Sequence, residues 1–166
     1  MQAKETVASE RNVKDIMSKG LACCTPDTSL KKVAEMMVNA DCGAIPVVDD
    51  RHTAKPIGIV TDRDIVCRAV AMDKNPLEMS ARDCMTTPVM AVKPSMSVHE
   101  CCQLMEQNKI RRAVVVDEQG ACIGVVAQAD IAEYAPGHET AELLQAVSEK
   151  AVASSNVGPV RAIYEI

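Results

Sequence analysis

Residues 13–37, VKDIMSKGLACCTPDTSLKKVAEMM, lie in register over residues 81–105, ARDCMTTPVMAVKPSMSVHECCQLM, and this self-repeat constrains the fold more than any other feature. Asp15 falls on Asp83, Met17 on Met85, Pro26 on Pro94, Ser29 on Ser97 and Met37 on Met105, all at an offset of 68. Further on, IPVVDD (45–50) meets AVVVDE (113–118). A loop two residues shorter in the second copy then brings IGIVTDRDI (57–65) onto IGVVAQADI (123–131), at an offset of 66. One supersecondary unit is used twice, and two copies of this size bury a shared face rather than stand apart.

Each copy begins with a short apolar strand (Leu21 to Cys24; Val89 to Val92), followed by a proline, a serine N-cap and an amphipathic helix. Leu30, Val33, Ala34 and Met37 recur at helical spacing, as do Val98, Cys101, Cys102 and Met105. Ser97 and Glu100 have capping-box spacing, whereas Ser29 faces Lys32 and makes half a box. Two more short strands follow, 44–48 and 57–60 in the first copy and 113–116 and 123–126 in the second. A closing helix ends each copy, at 62–72 and 130–135. Apolar runs bounded by turns suit a small sheet covered by helices, so the fold class is α+β. The expected organisation is an N-terminal extension (1–12), repeat 1 (13–72), a linker (73–80), repeat 2 (81–135), and a C-terminal helix and tail (136–166).

Composition removes several function classes. The chain of 166 residues has no Phe or Trp and only two Tyr, with a net charge of −5. Base stacking is almost unavailable, and no basic run exists to neutralise a phosphate backbone, so nucleic acid is not an expected partner. No signal-peptide pattern and no apolar run of bilayer length appear, so a cytoplasmic protein without a membrane partner is expected. The eight cysteines include no Cys-x-x-Cys spacing. The repeat sets Cys101, Cys102, Cys84, Cys24 and Cys42 at positions held in the other copy by Val33, Ala34, Ile16, Val92 and Ile110. They read as small core hydrophobes. Cys23 and Cys67 escape that argument and keep a thiol redox or metal sensor open. His52, His99 and His138 are isolated, and no catalytic constellation or metal-ligand set stands out; the chain is expected not to be an enzyme, to need no cofactor and to hold no metal.

The remaining chemistry sits where the third strand of each copy meets its closing helix. A strand ending at Thr61 and turning into a helix presents unpaired N–H groups that favour an anionic or hydroxyl-rich ligand. Asp64 can accept two hydrogen bonds from a vicinal diol such as ribose, and Thr61 can reach a phosphate or ribose oxygen. The alternative is that Thr61 and Asp64 merely cap the helix. The second copy keeps the carboxylate, Asp130, but has Ala127 for the hydroxyl. It also carries Arg111 and Arg112 where the first copy has Gly43 and Ala44; these are either phosphate ligands or ordinary surface arginines.

The two copies of DIM or DCM, PVVD or VVVD, and IGIVTDRDI or IGVVAQADI resemble a cystathionine-β-synthase (CBS) domain pair, also called a Bateman module, over residues 13 to 135. The resemblance implies tandem β-α-β-β-α CBS repeats packed sheet to sheet, with clefts between them for adenosine-containing ligands. Gly58, Thr61 and Asp64 match the family's Gly-x-x-Thr-x-x-Asp binding motif. An adenine would lie between aliphatic walls at Ala44, Ile45, Pro46, Ala113 and Val114. The resemblance adds Lys19, Gly20, Leu21, Thr87, Pro88 and Val89 as further lining. It implies a non-catalytic regulatory sensor for AMP, ADP, ATP or S-adenosylmethionine that forms homodimers through its closing helices and signals to a regulated protein. A ligand-free dimerisation or docking module is the remaining alternative.

Overall fold

The computed structural model describes residues 11–134 and 137–153. Residues 1–10 of the expected extension, Ala135 and Pro136, and the tail beyond Ala153 lie outside the described residues. The chain runs α1 (Val13–Ile16), β1 (Ser18–Lys19), α2 (Leu30–Asn39), β2 (Ala44–Val48), β3 (Pro56–Thr61) and α3 (Asp62–Arg68). Two 3₁₀ turns, Val70–Met72 and Pro76–Glu78, lead to α4 (Ala81–Cys84), β4 (Ala91–Val92), α5 (Val98–Asn108), β5 (Arg112–Val116), β6 (Cys122–Ala127), α6 (Gln128–Tyr134) and α7 (Gly137–Ala153).

The expected α+β architecture is present. β2 and β3 form an antiparallel pair, and β5 and β6 form its counterpart inside a sheet ordered β1-β6-β5-β4. Period-two alternation sorts their side chains: Ile45, Val47 and Val60 face the helices of repeat 1, and Ala113, Val115 and Val126 face those of repeat 2. Ile59 and Leu21 of the first repeat meet Val114, Val116 and Val125 of the second, so the two sheets pack face to face. Strands with both faces covered explain the near-continuous valine runs. Of the five cysteines expected in the core, Cys24, Cys84, Cys101 and Cys102 are buried, whereas Cys42 is only half-buried beside the first core.

The first strand of each copy is shorter than expected. Cys24 makes only a single parallel bridge to Val47, and Ala91–Val92 a two-residue pairing with Val114 and Val115. Their role as sheet edges is supplemented by segments that periodicity does not reveal. β1 pairs with β6, Ser18 opposite Val125 and Lys19 opposite Gly124, while Thr86 makes the equivalent bridge to Ile59. Each repeat therefore lends its leading segment to the other repeat's sheet. The short helices follow the same exchange: Val13 and Ile16 are buried in the second core, and Ala81 and Cys84 in the first. Backbone bonds fasten both crossings, Val13 N to Met96 O at 2.8 Å and Ala81 N to Thr28 O at 2.8 Å. Covering each sheet edge satisfies polar groups that would otherwise remain open to pairing with another chain.

The exchange dictates the two strand glycines. A Cβ on Gly58 would stand 3.0 Å from the Thr86 carbonyl oxygen, and one on Gly124 only 2.5 Å from that of Ser18. Met85 and Met17, equivalent in the repeat, bring their sulfurs to 3.1 and 3.2 Å of the same two positions. Flexible thioethers suit such gaps in a core without large aromatics.

Helical spacing in the sequence puts Leu143, Leu144, Val147 and Ala151 on one apolar face of α7, which extends the second repeat. Leu143 is fully buried against the second core, whereas Leu144 is 44 % exposed and leaves the expected stripe. The side chains of Val147 and Ala151, expected on the same stripe, are not among those described.

Candidate functional site

At the first junction, Thr61 and Asp64 form a complete capping box. The Thr61 hydroxyl oxygen accepts from Asp64 N at 3.1 Å, and Asp64 Oδ2 accepts from Thr61 N at 2.9 Å and from its hydroxyl at 2.8 Å. The other carboxylate oxygen is engaged as well: Asp64 Oδ1 lies 3.3 Å from Arg68 Nη2 and accepts from the Thr86 hydroxyl at 3.4 Å. Arg68 in turn donates to the Cys84 carbonyl at 2.6 Å and to Thr86 Oγ1 at 2.8 Å. Asp64 thus belongs to a network that ties α3 to the segment crossing from the other repeat. Neither carboxylate oxygen is left without a protein partner. Arg68 belongs to no motif, although its position four residues after Asp64 is the spacing of a helical ion pair.

The second junction has the same backbone and different chemistry. Asp130 Oδ2 accepts from Ala127 N at 2.7 Å. Ala127 supplies no hydroxyl, and the positions equivalent to Arg68 and Thr86 are Tyr134 and Ser18. Tyr134 is occupied by Arg11, whose guanidinium carbon lies 4.9 Å from the ring centroid. Among the described residues Asp130 Oδ1 has no hydrogen-bond or ion-pair partner. Burial pushes the Asp130 carboxyl above its ordinary value; the Ala127 N–H opposes the rise, Glu133 adds to it, and Arg112 opposes it.

Strand register brings the other expected residues alongside. Arg112 sits directly opposite Ala127, and Ala44 directly opposite Thr61. Arg112 is half-buried and reaches towards the first repeat: its Nη2 lies 3.0 Å from the place a Gly43 Cβ would take, as does Asp62 Oδ2. Among the described residues neither Arg111 nor Arg112 stands within 4.0 Å of a carboxylate, and Arg111 is exposed. Lys19, paired opposite Gly124, leads with Gly20 and Leu21 past the second junction; Lys19 and Gly20 are exposed and Leu21 half-buried. Thr87 and Pro88 are exposed and Val89 buried, following the Thr86 bridge to β3 at the first junction. Ile45 and Ala113 turn their fully buried side chains into the helix-side cores, so only their backbone groups face away from those cores. Pro46 is buried on the opposite face of its strand, and Val114 lies between the sheets. Two surface depressions, of about 550 and about 580 Å³, lie on the helix faces beside Gln103 and beside Val38, and neither is lined by Asp64 or Asp130.

The raised carboxyl of Asp130 has a measurable consequence. A carboxylate whose folded pKa exceeds its unfolded value binds protons more readily in the folded state, so its ionisation costs stability as pH rises from the unfolded value through the folded one. Asp130→Asn, which keeps the acceptor for Ala127 N, is expected to melt higher than the parent at pH 7 and to lose that advantage by pH 3.5. Melting curves across that range check the sign; an advantage independent of pH would show that Asp130 is not strained by burial.

The CBS domain model matches residues 13–70 and 81–137. The uncharacterized protein MK0525 of Methanopyrus kandleri is 34 % identical over 125 residues, which is 75 % of this chain and 63 % of that protein, so the chain spans less than two thirds of that relative. Hypoxic response protein 1 of Mycobacterium tuberculosis is 32 % identical over 142 residues, 85 % of this chain and 97 % of its own length. A crystal structure of Hypoxic Response Protein I with two coordinated zinc ions superposes with a TM-score of 0.64 at 31 % identity, covering 75 % of this chain and 99 % of that one. CBSX2 of Arabidopsis thaliana, solved in complex with AMP, has a TM-score of 0.62 at 22 % identity over 74 % of this chain and 95 % of its own, a likeness of fold.

Proposed function

Because the chain belongs to the CBS-domain family and carries two such domains, we propose that it is a non-catalytic regulatory module that binds an adenosine-containing ligand, chiefly at the second junction. The observation that carries this reading is the contrast between the two carboxylates. Asp64 is held by Thr61, Arg68 and Thr86, whereas Asp130 keeps one oxygen without a protein partner among the described residues. A half-buried carboxylate with spare acceptor capacity suits the two hydroxyls of a ribose, which would hydrogen-bond to it and offset its desolvation. Arg112, which pairs opposite Ala127, would receive a phosphate in a bidentate manner. Asp62 near the same guanidinium supplies competing negative charge and favours a ligand of low phosphate charge. AMP and S-adenosylmethionine therefore rank ahead of ADP and ATP.

Signalling would follow from position. The second junction is built by β5, β6 and α6 of one repeat and by β1, lent by the other, so a ligand there stabilises one arrangement of the two repeats, which a regulated protein then recognises. A homodimer contact through α3 and the 3₁₀ turn after it fits the apolar side chains left open there: Val66, Val70 and Met72 are all more than half exposed. Molar mass by light scattering checks the dimer. No helix among the described residues is long and apolar enough to cross a membrane, in keeping with a cytoplasmic setting. No three His, Cys, Asp or Glu side chains come together among the described residues.

The direct test is the melting temperature with AMP, ADP, ATP, S-adenosylmethionine and GMP in turn. Ligand at about 100 times its Kd adds about 2.7 kcal/mol. For a chain of this size that is a shift of about 5–10 °C. A shift confined to adenosine compounds is the expected result; equal behaviour with GMP, or no shift in nucleotide-free protein, would overturn the reading.

A further inference from the structure

Cys23 and Cys122 stand on different repeats, 99 positions apart, yet their sulfurs are 3.6 Å from each other and both residues are partly exposed. The fold does not require sulfur at either place. The repeat makes Ala91 and Pro56 the equivalent positions, whereas Cys24, Cys84, Cys101 and Cys102 fill core sites held by other small or medium apolar residues in the opposite copy. Cys23 lies two residues after Leu21, which packs between the sheets, and Cys122 opens β6 with its amide nitrogen bonded to the Ala54 carbonyl of the first repeat at 2.8 Å. Both residues therefore sit at the seam between repeats.

We propose that Cys23 and Cys122 are a redox-active thiol pair that closes into a disulfide stapling the two repeats together. Either thiol can donate across the 3.6 Å contact; with Cys122 donating to a Cys23 thiolate, the Cys23 thiol is held below its ordinary range, against the smaller opposing effect of burial. The negative sulfur of Cys23 and burial push Cys122 up. Cys23 is thus the attacking sulfur and Cys122 the resolving one. The oxidant is a low-molecular-weight disulfide. The Cys23 thiolate attacks one of its sulfurs, forming a mixed disulfide and expelling one small thiolate. Cys122 then attacks Cys23 Sγ, forms the protein disulfide, and passes its proton to the second departing thiolate. Two protein thiols are oxidised and one small disulfide is reduced to two thiols. Closing the bond requires the sulfurs to approach by about 1.6 Å. The inference is independent of whether the junctions bind nucleotide.

The test treats the reduced full chain with an oxidising mixture of glutathione and glutathione disulfide, blocks the remaining thiols, and maps tryptic peptides. Expected is a link between peptide 20–31 and peptide 113–150, a mass lower by two hydrogens, and no retained glutathione on either residue. Cys24 shares the first peptide, so Cys24→Ser should still form the link and Cys23→Ser should not. Closing a loop of this length is expected to raise the melting midpoint by about 10 °C, reversibly with dithiothreitol. A link through Cys24, or glutathione held on Cys23 or Cys67 without any link between the repeats, would overturn the assignment. The map of the unsubstituted chain decides this even if a variant folds poorly.

Discussion

Gly124→Val is expected to destabilise the chain by about 3 kcal/mol, near the upper end of what overpacking costs. A side chain there must start 2.5 Å from the Ser18 carbonyl oxygen, and that atom belongs to backbone rather than to a side chain able to swing away. Ser18 and Lys19 would have to leave β6, giving up their pairing with Val125 and Gly124. Met17, whose sulfur lies over the same position, would move with them and disturb the packing that buries Ile16 in the second core. Gly58→Ala, facing the Thr86 carbonyl at 3.0 Å, should cost about 1 kcal/mol by the same argument. Urea denaturation midpoints measure both. A Gly124→Val variant within 0.5 kcal/mol of the parent would mean that the crossing segment does not hold the second sheet together.

The two junction aspartates are expected to respond oppositely to removal. Asp130→Ala takes away the acceptor that we assign to the ribose diol, and loss of charge-assisted hydrogen bonds of about 1.5–3 kcal/mol weakens binding roughly 10- to 150-fold. Its effect on folding should be small, because the single backbone bond it makes to Ala127 N is offset by relief of a half-buried charge. Asp64→Ala instead removes a cap and strands Arg68, whose remaining partners are the Cys84 carbonyl and Thr86. That change should cost about 1–3 kcal/mol of stability and leave affinity at the second junction within about twofold. Calorimetric titration and denaturation of the same two proteins read both quantities. Equal losses of affinity in the two variants would mean that the junctions bind as one unit.

The sequence made the repeat, and with it the two sheets, legible because alternation and helical spacing are local signals. Ala44–Val48 and Arg112–Val116 run within a residue of the strands read from valine content, and both amphipathic helices begin at their serine caps. What local signals do not carry is exchange between copies. Nothing in the spacing of Val13 and Ile16 says that they enter the second core, or that Thr86 caps the edge of the first sheet. Gly58 reads as part of a binding motif, and nothing in the sequence says that it and Gly124 stand against the crossing chain. The candidate site shows the same division. Thr61 and Asp64 are where the motif puts them, but Arg68 engages the second oxygen of Asp64 through a tertiary arrangement. Cys23 is a cysteine the repeat does not explain, and its partner across the seam, Cys122, lies 99 positions away and is brought to it only by the fold.

Side-by-side titration calorimetry of AMP into nucleotide-free parent protein and into Asp130→Ala tests the central claim most directly. The account predicts saturable binding to the parent and a loss of at least tenfold in the variant at unchanged thermal stability. Undiminished AMP binding by Asp130→Ala would contradict it, since the carboxylate with the unpartnered oxygen would then have no part in holding the ligand.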